Sequence, residues 1–423
     1  MTYKRPTSPS IAISSLLKLL GRLRFLFICR TEVTKAEMLR LVSVLVCLGA
    51  LEAAVVAVPH VQLDVPHVPA PVQPVIGAVL EQRKAAEPAP VSLPLTKVEA
   101  DGQRYFLGEM SVGTPGQAMT VAVDITFPLS YVPSINCSDQ FCTDHKQYDS
   151  AASSTYEADG TPFELSLGQN VSGVISKDAI SVAGATVSGQ AFGEATAVWN
   201  SYALRAPNDG VLALGFGFSV SQEGATTIMG SMIEQGLIGQ WLAGIWLGRG
   251  DAGGELTLGG LNDDRRSGEL AWAPVTFNEE HQSWMASVES LAVGETSICS
   301  ENCFVTALST TPYFFMSMDA AKAVNDALGG FDIGAPGVAG LDCSTLYTLP
   351  TLEIEAAGRT LEMSPLEYTY IYTLGGGVQM CLSGFVGLPD FDDNVTVLGS
   401  LFMQKFYTAY DMDNMRVGFA DSA

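Results

Sequence analysis

A bilobal, all-β architecture with few and short helices is the fold class this 423-residue sequence predicts, and three observations predict it. Forty-two glycines and 21 prolines, against only 16% charged residues, describe a chain that turns often, as strand-rich folds do and helical bundles do not. From Tyr105 onward the apolar residues fall in short alternating runs closed by turn residues. Tyr105-Phe-Leu-Gly-Glu-Met-Ser-Val, Met119-Thr-Val-Ala-Val-Asp, Gly254-Glu-Leu-Thr-Leu-Gly-Gly and Arg416-Val-Gly-Phe-Ala are examples. The third observation is a weak repeat. An apolar strand runs into Asp124-Ile-Thr-Phe and is matched 89 residues on, at Ala213 in Val211-Leu-Ala-Leu-Gly. A second runs into Ser309-Thr-Thr-Pro and is matched 90 residues on, at Gly399 in Val397-Leu-Gly-Ser; Asp124 and Ser309 are 185 apart. Helical periodicity is confined to short pieces, chiefly 227–235 and 318–328.

The elements follow in order. Residues 1–58 read as an N-terminal extension with a targeting segment, whose apolar core is 41–58. With Met38-Leu-Arg ahead of it and small residues after it, that core has the layout of a cleavable secretory signal if translation starts at Met38. A start at Met1 would make it an uncleaved anchor, the one circumstance in which a membrane enters. Residues 59–99, with eight prolines up to Pro94, read as an extended linker or degenerate prosegment, with ordered chain expected from near Val98. Two lobes are expected over 100–272 and 273–423.

Charge and cysteine usage narrow the function. Residues 1–37 hold seven basic and two acidic residues, whereas from Asp101 onward eleven basic face 38 acidic ones, a balance of −27. Such a body repels nucleic acid, whose phosphates need a Lys/Arg surface. Beyond the targeting region, with its Cys29 and Cys47, six cysteines remain: 137 and 142, 299 and 303, 343 and 381. An even set favours disulfides in an exported protein, with the connectivity left open. No Cys-x-x-Cys and no clustered histidines accompany them, so neither a metal nor another cofactor is expected. Sequons at Asn136, Asn170 and Asn394 point to a glycoprotein. The stretch Gly248-Arg-Gly-Asp-Ala-Gly-Gly contains a Gly-x-Gly-x-x-Gly match, but a strand and no helix follows it, so it reads as turn composition.

Several stretches then fall in one recognisable order. They are Tyr105-Phe-Leu-Gly-Glu-Met-Ser-Val-Gly-Thr-Pro-Gly-Gln, Tyr131-Val-Pro-Ser, Phe192-Gly-Glu-Ala-Thr, Asp209-Gly-Val-Leu-Ala-Leu-Gly, Gly254-Glu-Leu-Thr-Leu-Gly-Gly and Ser297-Ile-Cys-Ser. In that order, from about Tyr105 to Ala420, the chain resembles the pepsin-like aspartic proteases. The resemblance implies the bilobal pepsin-like fold with a central cleft, and disulfides Cys137–Cys142, Cys299–Cys303 and Cys343–Cys381. It also implies a peptide or protein ligand in or near the cleft of a monomer.

The family's chemistry uses two carboxylates, each in an Asp-Thr-Gly loop, that share a proton across the lobe junction. Here the first loop reads Asp124-Ile125-Thr126-Phe127, keeping the acid but losing the Thr hydroxyl and the Gly. The second reads Ser309-Thr310-Thr311-Pro312-Tyr313, which puts Ser309 at the place of the second acid. The flap stretch, Phe163-Glu-Leu-Ser-Leu-Gly-Gln-Asn, places Leu167 at the family's Tyr, followed by Gly168, with Asn170 at its tip. Phe127 and Tyr313 are candidates to line the cleft floor as an apolar pocket, with Phe314 and Phe315 expected in the core. Ser309 as a nucleophile would need a base, and no histidine among His60, His67, His145 and His281 is placed to serve.

The expectation is a secreted, catalytically impaired homologue that binds a peptide, a protein or an apolar ligand. The rival is an active acid endopeptidase using Asp124 with an unorthodox partner. A third reading is a decoy acting through surface loops. Secretion is the expected route, with membrane anchoring or an endolysosomal lumen as alternatives.

Overall fold

A computed structural model describes residues 88–100, 103–165, 170–199, 206–215, 226–276, 283–373 and 378–423. The targeting segment, Leu167, Gly168, His60, His67 and His281 lie outside the described residues. The architecture is the bilobal, pepsin-like all-β fold. Among the described residues the longest helices are Ile228–Glu234 and Met318–Ala327, capped by Thr227 and Ser317, whose hydroxyls accept from Gly230 N and Ala320 N.

One 13-stranded sheet runs through the molecule. Its N-terminal part contains Gln103–Val112, Gln117–Asp124, Tyr131–Pro133, Ala185–Val198 and Val171–Val182. It then continues, through Gly254–Leu258 and Leu242–Leu247, to the C-terminal strands Phe406–Asp411 and Arg416–Ser422. The strand Val91–Ala100 is the link. Its first half pairs with Gly254–Leu258 (Val91↔Leu258 to Leu95↔Gly254) and its second half with Gln103–Val112 (Thr96↔Leu107 to Ala100↔Gln103).

That strand corrects the expectation of a linker over 59–99. Order is already established at Val91 because Leu93 and Leu95 alternate onto the core and are 4% and 3% exposed, outweighing Pro90 before them and Pro94 between them. The C-terminal lobe is built from a five-stranded sheet and two four-stranded ones. Among the described residues no helix is long and apolar enough to cross a membrane.

Among the described residues Trp284 is the largest fully buried side chain, packed against Trp241 (5.3 Å) and Tyr410 (5.4 Å), with its indole N–H donating to Leu214 O at 3.0 Å. The three disulfides are Cys137–Cys142, Cys299–Cys303 and Cys343–Cys381, closing separations of 5, 4 and 38 residues. A cross-link restricts the unfolded chain more when the loop is long. Converting Cys343 and Cys381 to Ser should therefore lower stability by about 2–4 kcal/mol in denaturant melts, while the two short loops, similarly treated, should cost less.

The turn at Arg249-Gly-Asp is exposed and is held in place by side-chain hydrogen bonds. The Arg249 guanidinium donates to Glu367 Oε1 at 2.7 Å and to Gln404 O at 3.2 Å, and the Lys97 ammonium donates to Gly250 O.

Candidate active site

Asp124 ends the strand Gln117–Asp124, which runs parallel to Gly210–Ala213 with Asp124 opposite Ala213. Its carboxyl is buried, at 3% exposure. Oδ1 accepts from Thr126 N (2.7 Å), Thr126 Oγ1 (2.6 Å) and Phe127 N (3.2 Å), so the loop residues that replace Thr-Gly still close on the acid. Burial pushes the carboxyl above the ordinary carboxylate range, opposed by the Thr126 hydroxyl and the two backbone donors. Burial also raises the phenols of Tyr131 and Tyr410, and the Asp124 charge raises both further. The acid thus has two neutral phenols within electrostatic reach.

A carboxyl raised by folding holds its proton better in the native state than in the unfolded one. Its favourable contribution is complete below about pH 4 and is lost as pH rises through the raised native value. Asp124→Asn keeps an Oδ1 acceptor for the three donors and removes this titration. Melting temperatures of Asp124→Asn and the native protein should coincide near pH 3, and the variant should be the more stable at pH 7. The gain should read about 2–4 °C for each kcal/mol.

The second loop is placed by strand register. Cys303–Ala307 runs parallel to Val395–Leu398, with Phe304↔Val395 through Ala307↔Leu398, and one more step sets Leu308 opposite Gly399. The Leu308 N–H donates to Leu398 O at 2.9 Å, continuing the ladder. A third strand fixes the correspondence between lobes: Tyr131 opposes Val211, and Phe315 opposes Val397. From Asp124 to Tyr131 and from Leu308 to Phe315 are both seven residues; from Val211 to Ala213 and from Val397 to Gly399 are both two. Between the two acid loops the offset is therefore 315 − 131 = 184 residues, one fewer than the 185 read from the sequence, while the strands they face are 397 − 211 = 186 apart. Leu308, not Ser309, holds the place that Asp124 holds in the other lobe.

Ser309 has a different task. It is 5% exposed, and its hydroxyl donates across the lobe junction to Val123 O at 2.7 Å. Ile125, one residue after Asp124 as Ser309 is one after Leu308, has no hydroxyl to return that bond. The cross-lobe connection that the family makes from its threonines is kept on one side. Gly399 is required where it stands: a Cβ there would lie 2.2 Å from Tyr313 O.

Phe127 is 2% exposed and packs edge-on to Tyr131 (6.4 Å, 66°) with Leu129, Phe163 and Val171, so it belongs to the core beneath the site rather than to an open pocket. Tyr313 is half-buried against Tyr370 (5.7 Å), Phe314 is buried, and Phe315 is half-buried. His145 stacks on Phe141, with Nδ1 against Phe141 O (2.7 Å) and Nε2 against Ala206 O (2.9 Å). It is engaged as a loop tie and is not a base for Ser309. Asn136 and Asn394 are exposed and Asn170 is half-buried. Among the described residues no group of His, Cys, Asp and Glu is arranged to hold a metal ion.

Sequence reasoning missed Leu308, and with it the electrostatic coupling of the Tyr131 and Tyr410 phenols to Asp124. The signal for Leu308 was present: counting back from the matched aromatics Tyr131 and Phe315 gives 184, whereas matching hydroxyl residues to the Asp-Thr-Gly loop draws the eye one residue too far.

Comparison with known proteins is consistent with this architecture. The family model described as Eukaryotic aspartyl protease matches residues 105–422. Cathepsin D of Dictyostelium discoideum is 35% identical over 345 residues, covering 80% of this chain and 88% of that protein. Cathepsin E-A of Xenopus laevis is 36% identical over 330 residues (74% and 79%), and cathepsin D of Homo sapiens 32% over 342 residues (76% and 81%).

Proposed function

The chain belongs to the eukaryotic aspartyl protease family, and from that membership we propose that it is a member that holds a peptide or protein segment in its cleft without hydrolysing it. The observation that carries this reading is Leu308 opposite Gly399, where the partner of Asp124 is required. The reaction needs one carboxyl to take a proton from water while the other gives one to the scissile carbonyl. A leucine can do neither, and the neighbouring Ser309 hydroxyl is already committed to Val123 O. Loss of general acid or base help alone costs about 10²–10⁴ in rate. The dyad also titrates as a unit, so Asp124 alone does not retain half the function.

Asp124, protonated at acid pH and half-buried neighbours such as Leu308 and Tyr313 suit an extended peptide with apolar side chains. Three disulfides favour work in an oxidising compartment, reached by the secretory route, with glycans at the exposed sequons. The test uses protein that retains Val91–Ala100, given denatured protein substrates between about pH 3 and 6. No turnover above that of Asp124→Asn is expected, together with saturable retention of a peptide bearing a hydroxyl at the scissile position. Turnover that Asp124→Asn abolishes would establish the active endopeptidase instead.

A further inference from the structure

Trp199 is an exposed aromatic residue that the proposed peptide binding does not use. In the antiparallel pair formed by Val171–Val182 and Ala185–Val198, Val171 stands opposite Val198, and both are buried. One step beyond, Trp199 N donates to Asn170 O at 3.0 Å, so these two residues are opposed across the end of the pair. Alternation turns their side chains to the face away from the valines and sets their Cβ atoms within about 4.5–5.5 Å. Asn170 is half-buried, and Trp199 leaves 48% of its surface in water. Asn170-Val171-Ser172 is an N-glycosylation acceptor, and the three disulfides favour the oxidising compartment in which such acceptors are modified.

We propose that Asn170 carries an N-linked glycan whose first N-acetylglucosamine packs its ring face on the Trp199 indole. The sugar comes from a polyisoprenyl-pyrophosphate-linked oligosaccharide. A bond forms between its C1 and Asn170 Nδ2, the C1–O bond to pyrophosphate breaks, the pyrophosphate leaves with the electron pair, and the amide gives up one proton. A pyranose directs hydroxyls to its rim and C–H groups to its face, so laying that face on the indole removes apolar area from water and gains dispersion contacts. The result is a clasp at the end of the strand pair.

The protein would be secreted from a eukaryotic host and occupancy at Asn170 read by peptide mass. Melting temperatures would then be compared for native Trp199, Trp199→Ala and Trp199→Phe in three backgrounds: the full glycan, the glycan trimmed enzymatically to one N-acetylglucosamine, and Ser172→Ala, which cannot be glycosylated at Asn170. The expected result is occupancy, with Trp199→Ala lowering the melting temperature by about 1–3 °C more in both glycosylated backgrounds than in Ser172→Ala. Trp199→Phe, which keeps an aromatic face, should recover most of that difference. An unmodified Asn170 would overturn the proposal. So would an equal effect of Trp199→Ala in all three backgrounds, or a Phe variant that behaves as Ala.

Discussion

Ser309→Asp should lower stability by about 3–5 kcal/mol and should create no protease, although it restores an acid where a simple reading of the loop would put one. The Ser309 side chain is 5% exposed, and its hydroxyl donates to Val123 O at 2.7 Å. A carboxylate there would set two acceptors against each other in a buried site with no counter-charge, and the cross-lobe hydrogen bond would be lost as well. Protonating the new carboxyl would relieve part of this, so the variant should be least disturbed at acid pH, which a pH series of denaturant melts would read. Leu308→Asp is the informative companion. Leu308 is half-buried and occupies the register place of Asp124, so this variant should fold and should bring a second carboxyl beside the first. It should still fail to hydrolyse peptides, because Ile125 cannot return the cross-lobe bond and Thr126 occupies the glycine place. A Ser309→Asp protein as stable as the native one, or active, would refute the register argument.

Trp284→Ala should have a still larger effect on stability. Trp284 is 1% exposed and contacts Trp241 and Tyr410, whose own ring lies near Asp124. Deleting a buried indole costs about 3–5 kcal/mol through lost burial and the cavity left behind. The Leu214 carbonyl would also lose its indole donor at 3.0 Å, which adds about 1–3 kcal/mol for an unsatisfied buried group. Trp284→Phe separates the two, since it keeps most of the packing and loses only the hydrogen bond. Chemical denaturation should rank the proteins native, Phe, Ala. A loss under about 1 kcal/mol for Ala would show that the cavity collapses and that this cluster does not support the site.

Much of this architecture was legible before any coordinates. Alternating runs such as Met119-Thr-Val-Ala-Val-Asp carry a period of two, and the structure makes them the strand Gln117–Asp124. The short helices expected from periodicity over 227–235 and 318–328 appear as Ile228–Glu234 and Met318–Ala327, each started by a hydroxyl cap from Thr227 or Ser317. The strand Val91–Ala100 was obscured because proline content outweighed the Leu93 and Leu95 alternation in a local reading. Its stability comes from two partner strands, one of them more than 150 residues away. Phe127 was equally ambiguous: a large apolar residue beside a catalytic loop has the same identity whether it floors a cleft or fills a core.

By itself, then, the sequence determined the strand-rich class, the family resemblance, the survival of Asp124 and the loss of its second acid partner. Each of these is carried by residue type and short-range order, which the chain states directly. Only the tertiary structure decided which residue stands where that partner should be. That choice depends on the register of Cys303–Ala307 against Val395–Leu398, two segments about 90 residues apart. A one-residue difference in register exchanges a half-buried apolar side chain for a buried hydroxyl, and hydrogen bonds between distant strands are what select it.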